Sequence, residues 1–217
     1  MDGDRTGLDD PRALDILTTE HWSLLSTRTL GYQEMFGRAT IFIGVLSGTI
    51  VGLALLAQAT HFGRETLAFA FVLFSVTLFV GLATFVRSVA INHEDARWVE
   101  GMTLLRSAYL KMVPELKPFF VSSHKPAIEG HSLPYGSPQR VDDLARSLTT
   151  TSSVVATLNS ALAGALVMDI AALANVSLTW DIVVAVLVSL LSAVAHVRYA
   201  ARFRERHATN ATQSHSR

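Results

Sequence analysis

The sequence predicts an all-α, polytopic membrane protein: four transmembrane helices in two hairpins, with a cytoplasmic antiparallel helical extension. Residues 39–59 and 67–88 are apolar runs of about twenty residues, free of charge except for Arg87, and each can cross the roughly 30 Å hydrocarbon layer as a helix. A second pair, about 153–174 and 181–197, repeats the arrangement. Of the eighteen Lys and Arg, Arg64 alone lies between the first two runs and none between the last two. Positive residues stay on the cytoplasmic side, so both termini and the long middle segment are expected inside. Within lipid every backbone N–H and C=O needs an internal partner, which makes such runs helices whatever their propensities.

Composition removes several functional classes. The formal net charge is zero, so electrostatics gives no reason to expect nucleic acid or acidic substrates. The absence of cysteine excludes disulfides, thiolate metal sites and thiol nucleophiles. The opening "MDGDRTGLDDP" is acidic and lacks an apolar core, so the first span, rather than a cleaved signal peptide, is expected to direct insertion. The excess of Arg over Lys hints at a GC-rich bacterial genome, and hence at the plasma membrane of a bacterium.

In chain order, residues 1–38 form a cytoplasmic segment, disordered over 1–9 and helical from Asp10-Pro11, an acidic cap with proline in the first turn. Leu14, Leu17, Trp22, Leu25, Tyr32, Met35 and Phe36 recur at helical spacing as its apolar face; Thr18, Thr19 and Gly31 are the places where it could bend. Nothing forces a break before hairpin 1, residues 39–88. Its first span carries Gly44, Gly48 and Gly52 in strict four-residue register, a groove of the kind that lets another backbone approach closely and drives association in lipid. Glycine is also simply common in membrane helices, and the partner could be an intrachain helix or a second subunit. The second span places Thr77, Gly81, Thr84 and Ser88 on one face, and Arg87 at its inner end can reach the headgroups while its stem stays in lipid.

Residues 89–113 continue as a stalk whose Ile91, Trp98, Met102, Leu105, Tyr109 and Met112 form a heptad-like seam against the N-terminal helix. Residues 114–147 hold five of the six prolines and read as an irregular cytoplasmic linker, with Asp142 and Asp143 suited to a helix start near its end. Hairpin 2, residues 148–197, shows a small-residue row at Ala156, Ser160 and Gly164. Its last span starts at Trp180-Asp181, an interfacial anchor, and aligns Ala185, Ser189, Ser192 and His196. The tail, 198–217, brings Arg198, Arg202, Arg204 and Arg206 to an anionic inner leaflet before ten residues expected to be disordered.

Few residues could carry chemistry. Asp169 is the one acid well inside a predicted span, about 9 Å from its outer end, and an intramembrane acid defaults to a proton-binding or pore-lining role. The bland alternative is a hydrogen-bonded packing acid, favoured because no second acid or matching base lies at its depth. A pore would be lined by Thr77, Thr84, Asp169 or Ser192. Asn159 is expected to make an interhelical hydrogen bond, and His196 to be a solvated anchor with pH sensing as the sharper alternative. Glu20-His21 and His93-Glu94-Asp95 lie about 20 Å apart in depth on antiparallel helices, so they do not make a metal site. No phosphate loop, dinucleotide fingerprint or hydrolase elbow occurs, and no cofactor is implied. The triplets at Asn175 and Asn210 match the glycosylation pattern by chance.

The stretch "TTEHWSLLSTRTLGYQEMFGRATIFIGVLSG", residues 18–48, resembles the opening of a group of uncharacterised bacterial four-span integral membrane proteins. Residues 10–113 resemble, more loosely and by layout, the SLATT-type domains, in which cytoplasmic helices flank two membrane helices. That resemblance implies a pore-forming effector and transfers no catalytic residue. The expected function is accordingly non-enzymatic: a self-associating structural or interaction module or a pore, with the lipid bilayer, a second copy and a cytoplasmic protein as partners. The contrasting expectation is a small-solute or proton-coupled transporter using Asp169.

Overall fold

The computed structural model describes residues 7–61, 63–120, 150–175 and 177–214, with side chains to Phe203 in the last helix. Every described element is helical: α1 (Ala13–Thr60), α2 (Arg64–Met112), a short 3-10 turn (Pro114–Phe119), α3 (Thr151–Leu173) and α4 (Leu178–Ser214). All four α-helices are long and apolar enough to cross a membrane. α1 and α2 contain 48 and 49 residues, about 72 Å each at 1.5 Å per residue, so each exceeds the hydrocarbon thickness more than twofold. Neither Thr18, Thr19 nor Gly31 interrupts α1. The tail expected to be disordered instead continues α4 through Ser214. The expected helix start at Asp142-Asp143, and most of the linker, lie outside the described residues.

Local chemistry explains the helix ends. Asp10 Oδ1 accepts the Arg12 backbone N–H at 2.8 Å, satisfying an otherwise orphaned first-turn donor. Hydrogen bonds from Arg12 hold its carboxyl below the usual aspartate range. The α1–α2 turn passes through His61 in the left-handed region (φ 51°), Gly63 N–H closes back on Thr60 O, and the hydroxyls of Thr60 and Thr66 meet across it. The α3–α4 turn uses Asn175 (φ 57°), a residue type that tolerates this conformation, which gives the asparagine of the glycosylation triplet a plain structural role. At the start of α3, Thr150 Oγ1 accepts from Ser153 N–H at 3.3 Å.

The chain divides into two compact units, Met1–Glu34 with Ile91–Asp143, and Met35–Ala90 with Leu144–Arg217.

In the first unit α1 and α2 run antiparallel. Trp98 packs over Gly31, Leu24 over Gly101, and Tyr109 Oη donates to Leu17 O at 2.9 Å. Of the apolar face expected for α1, Leu17, Tyr32 and Met35 turn inward, whereas Leu14, Trp22, Leu25 and Phe36 are exposed. Trp98, Met102 and Tyr109 of the stalk seam do face inward, as does Ile91.

The second unit has polarity opposite to that of a water-soluble protein. Thr77, Ser88 and Asn159 are 0 % exposed, while Phe79 is 73 % and Leu191 68 % exposed. Ile41, Ile50, Val51, Phe69, Val72 and Leu190 likewise point outward. In water an apolar surface this continuous would be an association or aggregation site; around a helical bundle long enough to span, it is the face that meets lipid. The chain is a multi-pass membrane protein. An apolar cluster, Phe42, Phe85, Val89, Val155 and Leu162 with Ala200 and Phe203, ties all four helices together at one end of this unit. Arg87 and Arg198 mark that end.

Candidate functional site

The buried polar groups of the second unit form the candidate site. On α2 the face carrying Thr77, Gly81, Thr84 and Ser88 is wholly buried, as its spacing predicts. Its hydroxyls are engaged: Thr77 donates to Leu73 O at 2.7 Å and lies 2.9 Å from Thr49 Oγ1, Thr84 donates to Val80 O, and Ser88 donates to Thr84 O. Back-bonding to the preceding turn is the usual way a membrane helix buries Ser and Thr without a solvent partner.

Gly81 is the socket for α3. A Cβ at this position would collide with Asn159 Oδ1 and stand 2.6 Å from the Phe42 ring. The missing side chain thus admits the Asn159 amide against the α2 backbone. The interhelical hydrogen bond expected of Asn159 is not made: Oδ1 and Nδ2 are both buried without a partner. Each unsatisfied group costs about 1–3 kcal/mol, which the close packing around it must offset.

The α3–α4 hairpin is closed by a second socket. Gly164 receives Ser189, and a Cβ there would collide with Ser189 Oγ and lie 3.0 Å from Ala185 O. Further along, Ser160 Oγ lies 3.4 Å from Ser192 Oγ. His196 Nδ1 donates to Ser192 O at 2.7 Å, a carbonyl partner that fixes the proton on Nδ1. The imidazole packs edge-on against Phe85 at 4.5 Å and its Nε2 has no partner. The expected solvated anchor is therefore a buried packing residue.

Asp169 is 5 % exposed and Oδ2 has no partner. Ser75, at a similar depth on α2, is half-buried and donates to its own helix at Phe71 O, so it does not serve the carboxyl. Asp181 corrects an expectation. It is 6 % exposed with Oδ1 unpartnered, while its neighbour Trp180 is exposed; the pair is not a joint interfacial anchor. Position in the first turn of α4 compensates part of the burial, because exposed N–H groups there favour negative charge. The hairpin registers set by Gly164–Ser189 and Ser160–Ser192 bring Asp181 to about the depth of Asp169, so a second acid does lie at that level. Asp169 lies on the helix face of Val155 and Leu162, away from the α4-facing Ser160 and Gly164, and the two acids do not form a pair.

Gly44, Gly48 and Gly52 contrast with both sockets. All three are exposed, and a Cβ on any of them would meet nothing within 4 Å. Among the described residues, no other helix comes within that distance of the three positions. Arg198 and Arg202 are exposed and Arg87 is half-buried; Arg204 and Arg206 belong to α4, with side chains outside the described residues.

The first unit has its own polar cluster. Arg28 Nε donates to Asp95 Oδ1 at 2.6 Å, Nη2 reaches Oδ2 at 3.4 Å, and Tyr32 Oη donates to Oδ2 at 3.1 Å. Burial weakens the charged form of Arg28, but the hydrogen bonds and charges of Asp95 and Tyr32 outweigh it and hold the guanidinium above its ordinary value. His21 stacks on Tyr109 at 5.9 Å, far along the helix from the His93-Glu94-Asp95 string. Among the described residues no three metal-ligating side chains converge.

No protein-family model, curated protein or solved structure matches this chain.

Proposed function

We propose that the chain is a non-enzymatic, self-associating protein of the bacterial plasma membrane, with both termini in the cytoplasm, which docks against a second copy through the glycine face of α1. The observation that supports this is the difference between two kinds of glycine. Gly81 and Gly164 are filled from within the chain, whereas Gly44, Gly48 and Gly52 lie open in strict register. Small residues at this spacing let two helices approach to backbone contact, where dispersion and weak Cα–H···O contacts add up without a hydrophobic driving force. The distribution of Lys and Arg supports the orientation.

Self-association is tested by subunit counting in liposomes and by sedimentation in mild detergent. The parent chain is expected to form oligomers, and Gly48→Leu to weaken them about tenfold while leaving the fold intact, since a Cβ there meets no described atom within 4 Å. A parent chain that stays monomeric in both settings overturns the proposal.

Within this class the interaction module is favoured over the pore. Thr77, Thr84 and Ser192 direct their hydroxyls to protein partners inside one chain, which leaves them poorly placed to line a lumen between chains. Asp169 supports the contrasting reading, a proton-coupled or small-solute transporter, through its unpartnered Oδ2. Proton flux into liposomes that is present in the parent and lost in Asp169→Asn would favour transport; the expected result is no flux in either.

A further inference from the structure

At the α3–α4 turn the last turn of α3 lies beside the first turn of α4, which carries Asp181. This residue stands on the side of α4 that holds Ala185, Ser189 and Ser192, the side packed on α3. The pairs Gly164–Ser189 and Ser160–Ser192 fix the register, which sets Asp181 level with Ala171 and Ala172. Ala171 follows Gly164 by seven residues and so continues the α4-facing row of α3. A helical side chain leans toward its own N-terminus, which carries the Asp181 carboxyl toward the end of α3. That end offers oxygens rather than donors, because the last carbonyls of a helix have no intrahelical N–H. Ala174 N–H closes on Ile170 O and Asn175 N–H on Ala172 O, so both pass over the Ala171 carbonyl. Asp181 Oδ1 is buried without a partner, and among the described residues no basic side chain pairs with it. The positive end of α4 favours its charge and the negative end of α3 opposes it, each with about half an elementary charge. A buried carboxylate among carbonyl oxygens calls for a positive charge.

We infer that Asp181 Oδ1 and the carbonyl oxygens closing α3, Ala171 foremost, bind one small monovalent cation, Na+. Carbonyls at helix C-termini are donors with which membrane helices hold sodium. One carboxylate among neutral carbonyls supplies a single negative charge, which balances Na+, whereas calcium sites draw on further carboxylates. Asp169, the other acid at this depth, faces away from α4 and does not supply a second charge. Backbone oxygens make up the rest of the shell, so the site needs no cluster of acidic side chains. It uses neither the glycine face of α1 nor the orientation of the chain, and so stands apart from self-association.

The test is thermal unfolding of the full-length protein in mild micelles as sodium replaces N-methylglucamine at constant ionic strength. A ligand held by the folded state alone raises its stability, and the parent is expected to melt about 3 °C higher in saturating sodium. Asp181→Asn, which keeps the size and removes the charge, should melt alike in both salts, and Asp169→Asn should keep the full sodium shift. A second readout needs no Asp181 variant. The fluorescence of the neighbouring Trp180, taken as the difference between the parent and Trp180→Phe, should change with sodium over the same concentration range. A parent that melts at one temperature in both salts overturns the inference. So does a sodium shift that survives Asp181→Asn, and so does a shift given by calcium and not by sodium.

Discussion

A methyl group at position 81 would have to occupy volume that Asn159 and Phe42 already fill. Gly81→Ala is therefore expected to destabilise the bundle by about 1–3 kcal/mol, as overpacking does, and Asn159→Ala in the same chain should recover part of the loss. Thermal unfolding in micelles measures both; a double variant no more stable than Gly81→Ala alone would show that the amide is not what occupies the socket. His21 makes a second case. Burial first, then the nearby Arg106 charge, hold its pKa below the ordinary value of 6.5. The folded state therefore prefers neutral His21, whose contribution is complete above pH 6.5 and declines as pH falls below it towards the folded value. Hydrogen-exchange protection of α1 residues near 21, corrected for intrinsic rates, should weaken between pH 7 and 5, and His21→Phe should reduce that slope. The sequence was least informative at this scale. A glycine in an apolar run looks alike whether it admits an asparagine or faces outward, and Asp181 beside Trp180 has the pattern of an interfacial anchor although only the tryptophan is exposed.

At the level of helices, the apolar run lengths and the positions of the turns were legible because lipid leaves the backbone no alternative to helix. The face of α1 in the first unit was read correctly only at Leu17 and Tyr32, for a physical reason. The side that meets α2 includes His21, Arg28 and Gly31, so hydrophobic periodicity favours a neighbouring face with Leu14, Trp22 and Leu25, which is exposed. The inward face is held partly by Arg28 and Asp95, whose side chains are 32 % and 13 % exposed. Asp95→Asn keeps the shape but leaves the guanidinium without its countercharge. The expected cost is about 1–2 kcal/mol, below the figure for a fully buried pair because solvent screens Arg28. Amides of residues 13–34 and 91–112 should then exchange roughly five to thirty times faster in the intact protein. No change would mean that packing around Trp98 and Met102 suffices alone.

For the molecule as a whole, the inverted polarity of the second unit and the placement of basic residues together define how the chain meets the bilayer. Without native cysteine, single cysteines can report each side. Glu65→Cys is expected to react with an impermeant maleimide on intact cells, and Lys117→Cys only after permeabilisation; the reverse pattern would invert the orientation proposed above. The two turns have a further consequence for biogenesis. Only residues 61–63 separate α1 from α2, and 174–177 separate α3 from α4. So short a tether cannot reach back across the hydrocarbon layer, which means that neither member of a hairpin can wait in the cytosol while its partner is already threaded. Each pair must partition from the translocon together, and in the orientation proposed above the ions of Arg64 and Glu65 have to be carried through with the first.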